Sequence, residues 1–168
     1  FLLFITFFPH MVAGPIQRSA LLLPQLNPMR RPSREQLATA AWLLAWGYFK
    51  KEVVADNLIP VVSRGFEHSS PGGFAVILAS YAFTWQIYCD FSGYSDIARG
   101  LGKLFGVELL ENFQRPFFAQ TPSELWRRWH VSLSQWLRDY LYIPLGGNQR
   151  RTNLNLMLTM VLGGLWHG

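Results

Sequence analysis

Among the ionisable side chains of this 168-residue chain, its four histidines are best suited to move a proton near neutral pH. His167 stands in Gly163-Gly164-Leu165-Trp166-His167-Gly168, at the end of an apolar stretch. An imidazole in that setting is costly unless it meets a partner or a wet cavity. Burial favours its neutral form, which can accept a proton. The glycines around it let a ligand or another backbone come close. The competing reading is a histidine that snorkels to an interface at a helix end. His130 stands in Trp126-Arg127-Arg128-Trp129-His130. On a continuous helix it would share a face with Trp126, Leu133, Ser134 and Leu137. It reads as a second chemical group or as a packing histidine with a satisfied hydrogen bond. His10, beside Pro9, suits a structural or tunnel-lining place, and His68 a solvated turn.

Asp90 and Asp96 flank a short polar segment. They could steer a proton, but ion pairing, with Arg115 or Arg128 for example, is the stronger reading, because unpaired acids in an apolar setting are costly. Glu124 and Arg128 are spaced to support one helix. Several chemistries have no motif here. The sequence has neither a phosphate-binding glycine loop nor a dinucleotide fingerprint. It has no Gly-x-Ser-x-Gly elbow, no His-Glu-x-x-His and no cysteine pair. Neither a resident cofactor nor a metal is expected. Cys89 is the only cysteine, so no internal disulfide can form.

These groups need elements to hold them, and the composition points to helices in a bilayer. Charged residues make up 15% of the chain, against roughly 25% in soluble domains. Aromatic residues also reach 15%, and mean hydropathy is +0.13. A lipid-facing side removes the need to cover that apolar surface. The formal charge of +5 comes from basic residues interleaved with apolar stretches. That pattern suits loops against anionic lipid or in the cytoplasm, and it argues against a nucleic-acid partner.

Residues 1–17 read as the end of a spanning helix. The run is not a signal peptide, since no basic segment precedes it and Pro9-His10 follows it. Pro24, Pro28 and Pro32 then predict a loop without helix. Residues 35–62 read as one long helix, bent or re-entrant, whose charges face protein or water. A turn over 69–73 precedes residues 74–89, the best spanning candidate, which ends at Asp90. An amphipathic stretch follows over 97–105. Residues 123–141 predict one amphipathic helix at the membrane interface, with Ser123 as N-cap. After a turn at 146–148, residues 154–166 form a last apolar helix ending in His167. Both ends of the chain fall in apolar runs, so it is expected to be an internal fragment of one domain over residues 1–168, truncated at both ends.

Five blocks, in order along the chain, resemble the membrane-bound O-acyltransferase family. They are Phe8-Pro9-His10-Met11-Val12-Ala13-Gly14-Pro15-Ile16, Tyr88-Cys89-Asp90-Phe91-Ser92-Gly93-Tyr94-Ser95-Asp96-Ile97-Ala98, Asn112-Phe113-Gln114-Arg115-Pro116-Phe117, Trp126-Arg127-Arg128-Trp129-His130-Val131-Ser132-Leu133-Ser134 and Gly164-Leu165-Trp166-His167-Gly168. The wording is most similar to the alginate O-acetyltransferase branch, with the D-alanyl transferase branch as a near neighbour. The resemblance implies an all-α, multi-helix membrane fold with interfacial and re-entrant helices around a tunnel. It implies a multi-pass protein of the inner membrane. Its acyl donor would be a cytoplasmic thioester, acetyl-CoA or an acyl carrier. Its acceptor would be a hydroxyl of an extracytoplasmic polysaccharide such as alginate, or a periplasmic partner protein that passes the acyl group on. It makes His167 the general base and His130 its neighbour. Competing readings are D-alanyl transfer to teichoic acid, a segment of an ion or polysaccharide transporter, and a non-catalytic scaffold.

Overall fold

The computed structural model describes residues 2–11, 14–27, 31–67 and 72–167. The described residues are helical with no strand, as the sequence predicts. The chain forms two compact units, Phe1–Glu111 and Asn112–Gly168.

In the first unit, α1 (Leu2–Thr6) and a turn at Phe8–His10 replace the expected end of a spanning helix. Pro9 enters that turn at a position where its missing N–H does no harm, and an ordinary helix does not continue past it. The loop expected around Pro24 instead contains α2 (Ser19–Leu26), with Pro24 inside it. Packing overrides propensity here: Leu22 and Leu26 are buried with Phe7, Ala98, Val107 and Leu109. Gln25 ties the helix down further, donating to Glu108 O at 3.2 Å and accepting from Glu108 N at 2.8 Å.

The long helix predicted over 35–62 is present and runs somewhat further. It comprises α3 (Arg34–Tyr48), a π-helical stretch (Phe49–Ala55) and α4 (Asp56–Phe66). Ser33 starts it with a capping box: its Oγ accepts from Gln36 N at 3.1 Å, and its own N–H donates to Gln36 Oε1 at 2.9 Å. Against this rod lies α5 (Gly73–Leu104), antiparallel to it. Small residues let the backbones meet. A Cβ on Gly47 would stand 2.7 Å from Gly93 O, and one on Gly93 2.7 Å from Gly47 O. Neither position tolerates a side chain without movement.

The expected boundary at Asp90 is corrected. Residues 74–89 are only the first half of the 32-residue α5, which continues through Asp90, Asp96 and the stretch expected at 97–105. The acids do not end the helix because lysines of the facing rod neutralise both. Lys51 Nζ lies 2.6 Å from Asp90 Oδ1, and Lys50 Nζ 2.7 Å from Asp96 Oδ2. Among the described residues no helix is both long and apolar enough to cross a membrane. In α5 the apolar half is diluted by Ser80, Thr84 and Gln86, and the other half carries four charged groups, Asp90, Asp96, Arg99 and Lys103.

The second unit departs most from expectation. The single helix expected over 123–141 is broken into α6 (Pro122–Arg128), α7 (Val131–Leu137) and a π-helical turn (Arg138–Tyr142). The N-cap is Thr121, whose hydroxyl accepts from Glu124 N at 3.1 Å, in place of Ser123. The last helix, α8 (Thr152–His167), matches its prediction within two residues and includes His167. Asn155 fastens the preceding turn to it, donating to Gly147 O at 3.0 Å and Arg150 O at 2.7 Å.

Candidate active site

The site is built around a corner between α6 and α7. Trp129 leaves α6 with extended backbone, and His130 then takes the left-handed conformation, φ 42° and ψ 54°. That conformation disfavours any residue with a Cβ, at a cost of roughly 1–2 kcal/mol. Neighbouring contacts hold it. Gln114 N donates to Arg128 O at 2.9 Å and Val131 N to Asn112 O at 3.0 Å. Ser132 N donates to Asn112 Oδ1 at 3.2 Å. Phe113 meets Trp129 edge-on at 5.0 Å between ring centres, and Phe117 meets it at 6.3 Å. The Asn112–Phe117 block thus braces the block that carries His130. Because the helix breaks at this histidine, His130 does not share one continuous face with Trp126, Leu133, Ser134 and Leu137. The corner sets its direction.

The His130 imidazole is half-buried, and burial first, then the charge of nearby His167, lower its pKa from 6.5 to about 4. It is neutral at physiological pH, as a proton acceptor or a neutral hydrogen-bond donor must be. His167, on the last turn of α8, is exposed. Its Nδ1 lies 2.8 Å from Gly163 O, one turn back. A carbonyl oxygen can only accept, so Nδ1 carries the hydrogen of this bond. In the neutral ring the lone pair is then on Nε2, the atom farther from the backbone. The helix therefore fixes the tautomer that leaves Nε2 as a base. Gly163 also meets α7, since a Cβ there would lie 3.4 Å from Leu137 Cδ1.

Alongside, a cleft of about 640 Å³ is lined by Gln114, Trp126, Arg127, Gln135, Arg138 and Met160 among others. Val131 reaches it, while neither histidine is among its lining residues. Along α8, Met160 and His167 are roughly 10 Å apart, at about 1.5 Å per residue.

Among the described histidines, His167 is near enough to His130 to act on it electrostatically. His10 packs beside Phe4 and Phe7 in the first unit, with ring centres 5.5 and 6.0 Å away, which supports the structural reading. His68 lies outside the described residues. Asp90 and Asp96 are ion-paired as expected, but with Lys51, Lys50 and Arg99 in place of Arg115 or Arg128. Glu124 does pair with Arg128. Sequence reasoning gave Asn112 no role, although it opens one of the five blocks. Its capping partner stands 20 residues away, beyond any local pattern. Among the described residues no cluster of His, Cys, Asp and Glu is arranged to hold a metal.

The chain is 47% identical to the "Probable alginate O-acetylase AlgI" of Azotobacter vinelandii, over 100% of its own length and 34% of that protein. It is 38% identical to the "Peptidoglycan O-acetyltransferase" of Helicobacter pylori, over 99% of this chain and 33% of that one. It is 28% identical to the "Teichoic acid D-alanyltransferase" of Streptococcus thermophilus, over 100% of this chain and 45% of that one. The chain spans about a third of the length of the first two relatives. The profile of the membrane-bound O-acyltransferase family matches residues 1–168, and the chain belongs to that family.

Proposed function

We propose that this chain carries the chemical centre of an O-acyltransferase that moves an acetyl group from a thioester donor to a polysaccharide hydroxyl. The observation that carries the reading is the His167 Nδ1 bond to Gly163 O, which leaves Nε2 to act as base. A hydroxyl is a poor nucleophile until its proton is removed as it attacks. Nε2 of His167 takes that proton while the hydroxyl oxygen bonds to the thioester carbonyl carbon. The tetrahedral intermediate collapses, the carbon–sulfur bond breaks, and the imidazolium returns the proton to the sulfur. His130, neutral at the pH of the cell, gives the developing oxyanion a hydrogen bond and adds no positive charge against proton uptake at His167. Arg127 and Arg138 in the neighbouring cleft suit the phosphates of a CoA or carrier-bound donor.

The acetyl reading is favoured over D-alanyl transfer because identity is 47% to the alginate relative and 28% to the teichoic acid one. The acceptor is then an extracytoplasmic polysaccharide such as alginate, reached directly or through a periplasmic partner protein. A multi-pass inner-membrane setting fits the many exposed apolar side chains, such as Phe74, Tyr81, Trp42, Met157 and Leu165. The test is His167→Ala in the whole protein. Acyl transfer should fall by about 10²–10⁴-fold, the range of a lost general base, with the protein level in the membrane unchanged. Transfer at the wild-type rate would remove His167 from the base role. Mass spectrometry of the acyl group on the acceptor distinguishes acetyl from D-alanyl.

A further inference from the structure

We propose that Asn112 is a positioning residue for His130, an inference that rests on the reading of His130 as part of the catalytic centre. In an ordinary helix start, the residue at the N-cap uses its own side chain to satisfy the first free N–H groups. At α7 that residue is His130, and its side chain makes no capping bond. Asn112 supplies the cap from a distant segment. Its carbonyl oxygen accepts from Val131 N at 3.0 Å, and its side-chain Oδ1 accepts from Ser132 N at 3.2 Å.

These are the two peptide N–H groups directly after His130. Fixing both fixes the plane that follows the histidine, and with it the left-handed backbone that aims the ring. The imidazole is thereby released from the helix end for other contacts. Asn112 itself is only 1% exposed, so its two acceptors face the α7 start in a water-poor setting where an unmet N–H is costly. An asparagine suits the place because the side-chain oxygen must reach one residue further along α7 than the backbone oxygen does. Aspartate keeps that reach, whereas serine is one bond shorter and alanine has no side-chain acceptor.

The experiment uses the whole protein with Asn112→Ala, Asn112→Ser and Asn112→Asp. Two quantities are read: the rate at which diethyl pyrocarbonate modifies His130, mapped by peptide mass spectrometry, and kcat with KM for acyl transfer. Asn112→Ala and Asn112→Ser should speed modification about fivefold, the opening typical of a lost helix cap. Both should lower kcat by about tenfold or more while KM holds, since small misplacements of a catalytic group are costly. Asn112→Asp should return both quantities toward wild type. Should Asn112→Ala fail to accumulate, Asn112→Ser carries the same comparison. An unchanged modification rate in the serine variant overturns the proposal, as does an aspartate variant as reactive as the serine one. Faster modification with unchanged kcat keeps Asn112 as the residue that positions His130 and removes His130 from the chemistry.

Discussion

Lys50 and His130 are both basic groups drawn at least partly out of water, one in each unit, and the chain treats them in opposite ways. Lys50, 7% exposed, sits in a long helical rod and is met by Ser92 Oγ at 3.0 Å and Asp96 Oδ2 at 2.7 Å. Arg99 joins the same carboxylate at 3.2 Å, so the charges of that seam are answered where they stand. His130 sits where the helix is broken, on strained backbone, with a second histidine close enough to oppose its protonation. The first arrangement keeps a charge and uses it to register two helices. The second withholds a charge and keeps a neutral imidazole ready. A basic group answered by an acid serves the scaffold, whereas one kept neutral beside another base suits the hydrogen-bonding role proposed for His130.

The largest expected effect tests the scaffold side. Lys50→Met leaves the largely covered Asp96 with Arg99 as its remaining cation among the described residues. Breaking such a pair costs about 3 kcal/mol, the low end for a buried pair because one cation remains. The whole protein should therefore melt several degrees lower, while kcat per folded molecule stays within a few-fold of wild type. A wild-type melting temperature would show that the seam is held by its small residues alone.

The next effect tests the other side. His130→Gln should lower kcat by about 10²-fold, roughly 2.7 kcal/mol of barrier, with little change in melting temperature at neutral pH. The pH dependence sharpens this. The folded protein takes up a proton on His130 only near pH 4, whereas the unfolded chain does so near 6.5. Stability that is fully present above pH 6.5 is therefore lost as pH falls toward 4, because the unfolded state binds the proton first. His130→Gln should flatten part of that decline. Identical slopes in the two proteins would mean that the histidine is not held neutral by the fold.

The sequence made the scaffold more legible than the corner, for physical reasons. The start of the long helix, expected at residue 35 and found at Arg34, and the α8 stretch ending at His167 follow local patterns in adjacent residues. The break at His130 is not local. The periodicity of Leu125, Trp129, Leu133, Trp136 and Leu137 suggests one unbroken helix, and nothing near His130 is a helix breaker. The bonds from Asn112 and Gln114, and the aromatic brace of Phe113 and Phe117, come from a separate segment. The reverse error occurs at Pro24, a breaker by rule, which the burial of Leu22 and Leu26 keeps inside a helix. The ion pairs of Asp90 and Asp96 were legible as a class, but not their partners. Their lysine partners face them across an antiparallel pair of helices, 39 and 46 residues away in sequence.

The smallest effect concerns how each unit starts its helices. Helix α5 begins at Gly72 with no side-chain cap, and its 32 residues are held by packing along their length. Helix α6 has seven residues, too few to stand by propensity, and buries none of them fully. It depends on its start. Thr121 Oγ accepts from Glu124 N at 3.1 Å, and Glu124 Oε2 accepts from Gln120 N at 2.8 Å. That backbone bond, ahead of the pairing with Arg128, holds the Glu124 carboxyl below the usual carboxylate range. Thr121→Ala removes one arm of this start and should cost about 1 kcal/mol. Because the loss is confined to α6, it should appear as about fivefold faster amide hydrogen exchange there, with α5 unaffected. Since α6 leads directly into His130, kcat should fall by a smaller factor than in His130→Gln. Faster exchange spread equally over α5 would mean that the two units open together, and the contrast between a packed rod and a capped corner would then fail.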